Sequence, residues 1–322
     1  MLKEHSNATY LTKTPVLFLV FNRPDMTQQV FNQIRNTKPS RLYVAADGPR
    51  LNKSGEAEKV KQVRELIQSG VDWDCEVKTL FREQNLGCRR AVSNAITWFF
   101  EQEEEGIILE DDCLPHPTFF RFCTELLHKY RSDSRMMMIS GNNFQFGQRR
   151  TRYSYYYSRY SHIWGWATWR RAWEFYDVNM KSWPEIEEGQ WLEDILRGDE
   201  TAIWFWREKF NAVQKGEIDS WAYIWLLSIW MQNGLSITPN YNLVSNIGFG
   251  TEATHTRTEK QTMANMAIQP ISFPLEHPPF VIRDSKLDGV TERWIFKHTS
   301  LQRFVKRVFP HTTSLKQLFI RS

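Results

Sequence analysis

Residues 104–117 read EEGIILEDDCLPHP, an apolar run that ends in three consecutive acidic residues. A short continuous apolar run is typical of a strand that is buried on both faces of a parallel sheet. Glu110, Asp111 and Asp112 would stand at its carboxyl end. Adjacent carboxylates repel one another unless a cation lies among them, and Mn²⁺ or Mg²⁺ accepts one or two protein carboxylates together with water and phosphate oxygens. The stretch therefore predicts a strand that leads into a metal–diphosphate site, and a solvated acidic turn is the alternative.

Strand and helix patterns alternate on both sides of this stretch. Apolar runs in VLFLVF (16–21), RLYVAADGPR (41–50), CEVKTLFRE (75–83) and MMMISGNNF (136–144) predict further strands. The segments between them place apolar residues at helical spacing. Such alternation over roughly 140 residues predicts an α/β fold with a Rossmann-like, doubly wound mixed sheet, mostly parallel, with helices on both faces. Sheets of this kind bind ligands in the crevice beyond the carboxyl ends of their strands.

The composition is that of an ordinary globular protein. The chain has 322 residues, of which 24% are charged and 41% hydrophobic, and its net charge of +4 is too small to indicate a nucleic-acid partner. The apolar run within residues 1–21 is too short for a signal peptide, and no segment resembles a membrane span. The four cysteines show no metal-ligand spacing, which favours free thiols. We therefore expect a cytoplasmic protein that does not bind nucleic acid.

Residues 293–322 form a basic tail, which from Trp294 onward carries six Lys or Arg residues and no Asp or Glu. Its apolar residues follow i, i+3, i+4, i+7 spacing at Leu301, Phe304, Val305 and Val308. The pattern predicts a basic amphipathic helix. Such a helix can lie on the anionic inner face of a membrane or dock on its own domain.

The order of several sequence blocks is more specific than the acidic motif alone. These blocks are VLFLVFNRP (16–24), LYVAADGPR (42–50), NLGCRRA (85–91), ILEDD (108–112), WGWATW (164–169) and NLVSNIGFGTEATHT (242–256). In this order they resemble the GT-A fold glycosyltransferases, in particular the N-acetylglucosaminyltransferase that initiates complex N-glycans and its bacterial hemolysin-like relatives. The resemblance implies an inverting, metal-dependent transfer of a sugar from a nucleotide-diphosphate donor, with UDP favoured, to a hydroxyl of a glycan or other acceptor.

The sequence contains no internal repeat and no low-complexity linker, which favours one continuous domain over two. Residues 1–292 would form one glycosyltransferase domain, with a nucleotide-binding half, 1–150, and an acceptor half, 151–292. Trp164, Trp166 and Trp169 in the second half would wall the donor sugar and the acceptor, although aromatic rings of this kind also fill cores.

In the metal site that the resemblance implies, Asp112 would bind Mn²⁺ or Mg²⁺ directly. Glu110 and Asp111 would shape the site and contact the ribose or the donor sugar. Thr254, late in the chain, would close over the diphosphate. His255 beside it would supply a second metal contact. A lone histidine, however, more often hydrogen-bonds locally.

For the nucleotide, the resemblance implies contacts from the first half of the chain. Arg23, with Asn22 before it, would lie beside the nucleotide, and Asp47 would accept a hydrogen bond from a uracil ring nitrogen. Arg89 or Arg90 would approach the nucleotide or the diphosphate. The alternatives to these nucleotide contacts are that Asp47 is only a turn residue and that the arginine pair begins a solvated helix.

One position departs from the family's pattern. In IDSWAYIW (218–225), relatives would carry an Asp after Trp221, and that Asp would be the catalytic base, whereas this chain carries Ala222. An inverting transfer needs a carboxylate to take the acceptor's proton, so loss of the base predicts a rate loss on the order of 10²–10⁴ with nucleotide binding retained. Three explanations stay open: an engineered Asp→Ala change, replacement of the base by Asp219, or a natural relative that is weak or inactive.

Two other classes of protein compete with this interpretation. A sugar-1-phosphate nucleotidyltransferase also uses a doubly wound sheet and a metal, but it normally has a Gly-rich phosphate loop, and FLVFNRPD (18–25) contains no glycine. A non-catalytic carbohydrate-binding protein would explain the aromatic residues and Ala222. It would not need the acidic trio.

Overall fold

The secondary structure alternates between strands and helices through the first half of the chain. The computed structural model describes residues 10–248 and 266–295. Its strands are β1 (Val16–Val20), β2 (Arg41–Ala46), β3 (Glu76–Phe81), β4 (Glu105–Glu110), β5 (Cys113–Pro115), β6 (Met136–Ser140), β7 (Tyr155–Ser158), β8 (Trp166–Trp169), β9 (Leu235–Pro239) and β10 (Val244–Asn246). Its helices are α1 (Pro24–Thr37), α2 (Glu56–Gly70), α3 (Gly87–Phe100), α4 (Thr118–Lys129), α5 (Arg170–Trp173), α6 (Trp183–Glu188), α7 (Trp191–Ile195), α8 (Glu200–Gln214), α9 (Ala222–Met231) and α10 (Ser285–Ile295).

Eight of these strands form one mixed sheet in the order β3-β2-β1-β4-β8-β6-β9-β7. The pairs β2·β3, β1·β2, β1·β4 and β6·β9 are parallel, whereas β8 runs antiparallel to both β4 and β6, and β7 runs antiparallel to β9. All strands of this sheet except β7 and β8 therefore point the same way. The prediction of a doubly wound, mostly parallel α/β sheet is confirmed.

Helices cover both faces of this sheet, because successive strand residues point to opposite sides. On β1, Val16 and Phe18 pack into one core with α1, α2 and α4, and Leu17 packs into a second core with α3, α8 and α9. Every residue of β1 is buried, which explains the continuous apolar run without alternation. Truncation of a side chain such as Phe18 to Ala is expected to cost about 3–5 kcal/mol of folding free energy.

The chain reverses its direction of winding at β1. From β1 it runs to β2 and β3 on one side, then returns to β4 on the other side. The parallel register pairs Leu19 with Glu110, so the carboxyl ends of β1 and β4 lie together. This boundary is the topological switch point, the place where doubly wound sheets open a ligand crevice.

Helix α10 docks on the far edge of the sheet through a buried polar cluster. Asp288, which is 1% exposed, accepts hydrogen bonds from the Ser158 hydroxyl, the Arg159 N–H and the Arg283 guanidinium.

Residues 296–322, for which the sequence predicts a basic amphipathic helix, lie outside the described residues. Among residues 10–248 and 266–295, no helix is long and apolar enough to cross a membrane. All four cysteines are free, as predicted.

Candidate functional site

A cleft of about 400 Å³ opens at the switch point. Its walls come from the carboxyl ends of β1, β2 and β4 and from the first turns of α3. The small side chains of Ala45, Ala91 and Ala95 leave room between the sheet and α3. Polar and charged residues line the rest of the cleft: Asn22, Arg23, Asp47, Arg50, Arg82, Asn85, Glu110, Asp111 and Asp219. The predicted residues Asn22, Arg23, Asp47, Glu110, Asp111 and Asp219 thus meet in one place.

The acidic trio lies at the end of β4, as the sequence predicts. Asp111 is 7% exposed, and its Oδ2 accepts a hydrogen bond from the N–H of Phe21 at 3.0 Å. Burial, reinforced by repulsion from Asp112, raises the pKa of Asp111 to about 7. Burial and the two neighbouring carboxylates likewise raise the pKa of Glu110 to about 8. The site therefore carries more negative charge than its surroundings stabilise.

Arg23 supplies the nearest positive charge. Its Nη1 donates a hydrogen bond to Asp112 Oδ2 at 2.8 Å and lies 3.5 Å from Asp111 Oδ1. Pro24 fixes the start of α1 directly after it, so the chain turns away from the strand and leaves the guanidinium at the cleft. One guanidinium faces three carboxyl groups, so full ionisation of all three needs a further cation.

The donor set of this strand end suits a hard divalent ion. Mn²⁺ and Mg²⁺ bind through one or two protein carboxylates and take their other ligands from water and phosphate oxygens. Asp112, with 18% of its side chain exposed, and Asp111 can provide such carboxylates. Within the described ranges, no three His, Cys, Asp or Glu side chains are already arranged as a metal-binding group.

A second segment of the chain passes close to Asp112. The short ribbon β5·β10 follows the acidic trio directly, and the N–H of Ile247 donates to the Asp112 carbonyl at 2.8 Å. A Cβ atom at Gly248 would stand 2.9 Å from the Cβ of Asp112 and closer still to its carboxylate. Glycine is therefore needed for this approach. Thr254 and His255, predicted a few residues later, lie outside the described residues.

Asp47 lies at the end of β2, where it faces the cleft. Its carboxylate accepts hydrogen bonds from the N–H groups of Gly48, at 3.0 Å, and Leu86, also at 3.0 Å. These bonds fix the turn after β2 against the loop before α3. This position of Asp47 is compatible with both interpretations, a turn residue and a carboxylate that faces a ligand.

A buried carboxylate that sequence reasoning missed supports this wall. Glu56 is 5% exposed and accepts hydrogen bonds from Asn22 Nδ2 at 2.8 Å and from the N–H of Arg50 at 2.7 Å, and it pairs with the Arg50 guanidinium. The hydrogen bond from Arg50 is the main reason that the pKa of Glu56 falls to about 2. Arg50 and Arg82, both in the cleft, were also missed, because nothing in their local sequence indicates that β1, β2 and β3 end side by side.

Asp219 and Ala222 flank the start of α9. Asp219 lies in the cleft, and its two carboxylate oxygens accept N–H groups from the first turn of α3. Ala222 is the first residue of α9 and packs against the core on that side of the sheet. Of the two candidate base positions, the described structure places the Asp219 carboxylate in the cleft.

Asp112 contacts Arg23 at the edge of the cleft but does not line it, and Arg89, Arg90 and Trp166 lie outside the cleft. Arg89 donates from its guanidinium to the carbonyls of Val178 and Val213, away from the cleft, and Arg90 is exposed and does not line it. Trp166 is fully buried and stacks on Trp221.

The other two tryptophans of the predicted sugar-binding wall also lie away from the cleft. Trp169 is 1% exposed and donates to the Leu127 carbonyl. Trp164 is half-buried, with its ring edge on Phe144 at 5.4 Å. The core explanation of the aromatic stretch therefore accounts for Trp166 and Trp169.

No family model matches the chain, and no curated protein is significantly similar to it. Among solved structures, the inositol-1-phosphate CTP transferase from T. maritima is similar at 7% identity, with a TM-score of 0.36 over 71% of this chain and 86% of that one. An apo UDP-glucose pyrophosphorylase gives 10% identity and a TM-score of 0.36 over 71% and 90%. The glycosyltransferase GlyE of Streptococcus pneumoniae TIGR4 gives 12% identity and a TM-score of 0.33 over 89% and 64%. At these scores the likeness establishes neither a family nor an activity, and the finer resemblance seen in the sequence stays a prediction.

Proposed function

We propose that this chain is a metal-dependent, inverting glycosyltransferase that takes its sugar from a nucleotide-diphosphate donor, with UDP as the favoured nucleotide. The observation that supports the proposal is the group formed by Asp111, Asp112 and Arg23 at the switch point of the sheet. It combines an excess of carboxylates with a cation that can face phosphate oxygens. The cleft beside it has the size of a small-molecule site.

The cleft and the acidic strand end beside it each have a role in this proposal. Asp112, assisted by Asp111, would hold the Mn²⁺ or Mg²⁺ ion, whose chemistry is to neutralise the departing diphosphate. Arg23 would add positive charge at the same end. The nucleoside would occupy the space between the sheet and α3, with Asp47 at its rim. The acceptor would approach from the side of the second half of the chain.

The proton of the acceptor hydroxyl needs a base. Position 222 begins α9 and carries a side chain without any acceptor atom, so Ala222 cannot serve. Asp219 presents a carboxylate to the cleft, but each of its oxygens already accepts one backbone N–H. These two bonds hold the carboxylate at the start of α3. We therefore expect slow transfer in the chain as it stands.

A nucleotidyltransferase would need a loop that wraps the phosphates of a nucleoside triphosphate. Here only Phe21, Asn22 and Arg23 separate β1 from α1, and none of them is a glycine. The backbone of this short connection also holds Asp111 through the N–H of Phe21. These features favour the glycosyltransferase over the nucleotidyltransferase.

Calorimetry with UDP tests the proposal. UDP with Mn²⁺ should bind to the purified chain, and the binding should disappear after chelation and in Asp112→Asn. Asp25→Asn is the matched control, because Asp25 is an exposed acid in the first turn of α1 that does not line the cleft. Equally strong binding of UDP without metal would overturn the metal role. Binding of a glycan without any nucleotide would support the carbohydrate-binding alternative instead.

A further inference from the structure

The helices α6, α7 and the start of α8 present a strongly acidic surface. Residues 183–200 contain one basic residue, Arg197, and a set of acidic residues: Glu185, Glu187, Glu188, Glu193, Asp194, Asp199 and Glu200. All of these acids except Glu187 are exposed. No Lys or Arg in residues 10–248 and 266–295 forms an ion pair with Glu185, Glu188, Glu193 or Asp194. We call this surface, residues 183–200, the acidic face.

The last turn of helix α10 lies beside this face. Arg159 is 8% exposed, and its guanidinium donates to Glu292 Oε1 at 2.8 Å and to the carbonyl of Ile195 at the end of α7. The hydroxyl of Tyr160 donates to the same Glu292 oxygen at 3.0 Å. Two acceptors that share one guanidinium lie within roughly 6 Å of each other. The last turn of α10 is therefore fixed beside α7, and residue 296 follows directly after it.

The segment that follows has the opposite charge. Residues 296–322 contain six basic residues and no acidic one: Lys297, Arg303, Lys306, Arg307, Lys316 and Arg321. The apolar residues of the predicted amphipathic helix in this segment would need a hydrophobic contact. The acidic face offers Trp191, which is 43% exposed. Opposite charges attached to one chain at short range meet at high effective concentration.

We propose that residues 296–322 dock on the acidic face of their own chain. Three observations carry this inference: the complementary charges, the fixed departure point beside α7, and the exposed ring of Trp191. An anionic membrane and a second copy of the chain are the competing occupants of the basic segment. The inference does not depend on the proposed glycosyltransferase activity.

Carbodiimide cross-linking of the full chain, read by mass spectrometry, tests the docking. This reagent joins a lysine amine to a carboxylate in direct contact. We expect links from Lys297 or Lys306 to the acidic face, in monomers, at low ionic strength. They should vanish in about 1 M salt, where the Debye length is about 3 Å. Arg303→Glu with Arg307→Glu should reduce them roughly fivefold or more, because each lost surface pair removes a modest attraction.

The matched control carries the same change of charge far from the acidic face. Lys53→Glu, just before α2, with Lys59→Glu, in its first turn, should leave the links unchanged. Absence of links at low salt overturns the proposal. So do links found only in dimers, which would assign the basic segment to a second copy.

A vesicle assay covers the membrane alternative. Glu58→Gln with Glu65→Gln, at exposed positions on α2, makes the same change of charge and serves as the control. With phosphatidylserine vesicles, Glu193→Gln with Asp194→Asn should raise the bound fraction of the full chain severalfold above that control, because the basic segment is released. If this double variant and the unaltered chain bind the vesicles equally, the segment is not held on the acidic face, and the proposal fails.

Discussion

The carboxylate of Asp219 closes the first turn of α3 at Cys88, whose N–H donates to Asp219 Oδ2 at 2.8 Å. The N–H of Arg89 donates to the other oxygen at 2.9 Å. A helix has unsatisfied N–H groups at its start, and an acid from a distant part of the chain satisfies two of them here. Gly87 makes the approach feasible, since its φ is +77° and a Cβ there would lie 2.7 Å from Asp219 Oδ2. The cleft wall formed by α3 is thus tied to the segment that precedes α9.

Asp219→Ala is expected to lower the free energy of unfolding by about 1–2 kcal/mol, because two N–H groups lose their acceptor. It should also weaken nucleotide binding, since the start of α3 forms part of the cleft. Urea unfolding and calorimetry with UDP measure the two effects. Asp199→Ala is the control: Asp199 caps α8 through the N–H groups of Thr201 and Ala202 and does not line the cleft. An equal loss of nucleotide affinity in both variants would show that the contact between Asp219 and α3 has no specific effect on the cleft.

Ala222→Asp should raise the rate of sugar transfer by a factor on the order of 10²–10⁴ if position 222 is that of the missing base. An acid at the first residue of α9 also suits the helix dipole, so the substitution should not destabilise the fold. Turnover with a panel of UDP-sugars measures the rate, and Ala222→Asn separates the effect of a proton acceptor from that of a polar group. No gain in turnover, combined with loss of activity in Asp219→Asn, would move the base to Asp219.

Gly248→Ala should weaken the Mn²⁺-dependent binding of UDP. The added methyl group would collide with the side chain of Asp112, so either the carboxylate or the segment after β10 must move. We expect the apparent affinity to fall by roughly tenfold, as expected when a ligand's support is displaced. Titration with Mn²⁺ measures it. Gly289→Ala serves as the control, because a Cβ there would meet only the Arg293 side chain, at 3.6 Å.

His162 should make the fold sensitive to acid. Its ring is buried against Phe144, its Nε2 has no hydrogen-bond partner among the described residues, and burial lowers its pKa to about 4. The unfolded chain binds this proton below pH of about 6.5, whereas the folded chain does so only below pH of about 4. The free energy of unfolding is therefore greatest above pH of about 6.5. It falls by about 3 kcal/mol in total as the pH drops from about 6.5 to about 4.

Urea unfolding at neutral pH and near pH 5 measures the contribution of His162. The loss of stability on acidification should be about 2 kcal/mol smaller in His162→Gln than in the unaltered chain. His128→Gln, at an exposed histidine, should show the unaltered loss. Identical pH dependence in all three proteins would exclude the buried imidazole as the cause.

The sequence predicts the sheet well wherever apolar runs are bounded by turns. The predicted strands at 16–21, 41–50, 75–83, 105–112 and 136–144 correspond to β1, β2, β3, β4 and β6. Strands β7 and β8 were not predicted. Both are buried at every residue and lie in an aromatic stretch without the alternation that marks a strand, and β8 enters the sheet antiparallel between β4 and β6.

The candidate site was predictable in part for a similar reason. Glu110, Asp111 and Asp112 are adjacent in the sequence, so their clustering needs no knowledge of the fold. The contacts of Arg50 with Glu56, and of Asp219 with α3, depend on which elements lie side by side. Arg89 shows the opposite case, since its position in the sequence suggested the nucleotide, while packing turns its guanidinium toward Val213.

The β5·β10 ribbon has a consequence for protein synthesis. Asp111 is held by a main-chain group near the beginning of the chain, Phe21, while the main chain of Asp112 is held by Ile247, which leaves the ribosome much later. Between the synthesis of Asp112 and that of Ile247, the acidic strand end therefore lacks its second cover.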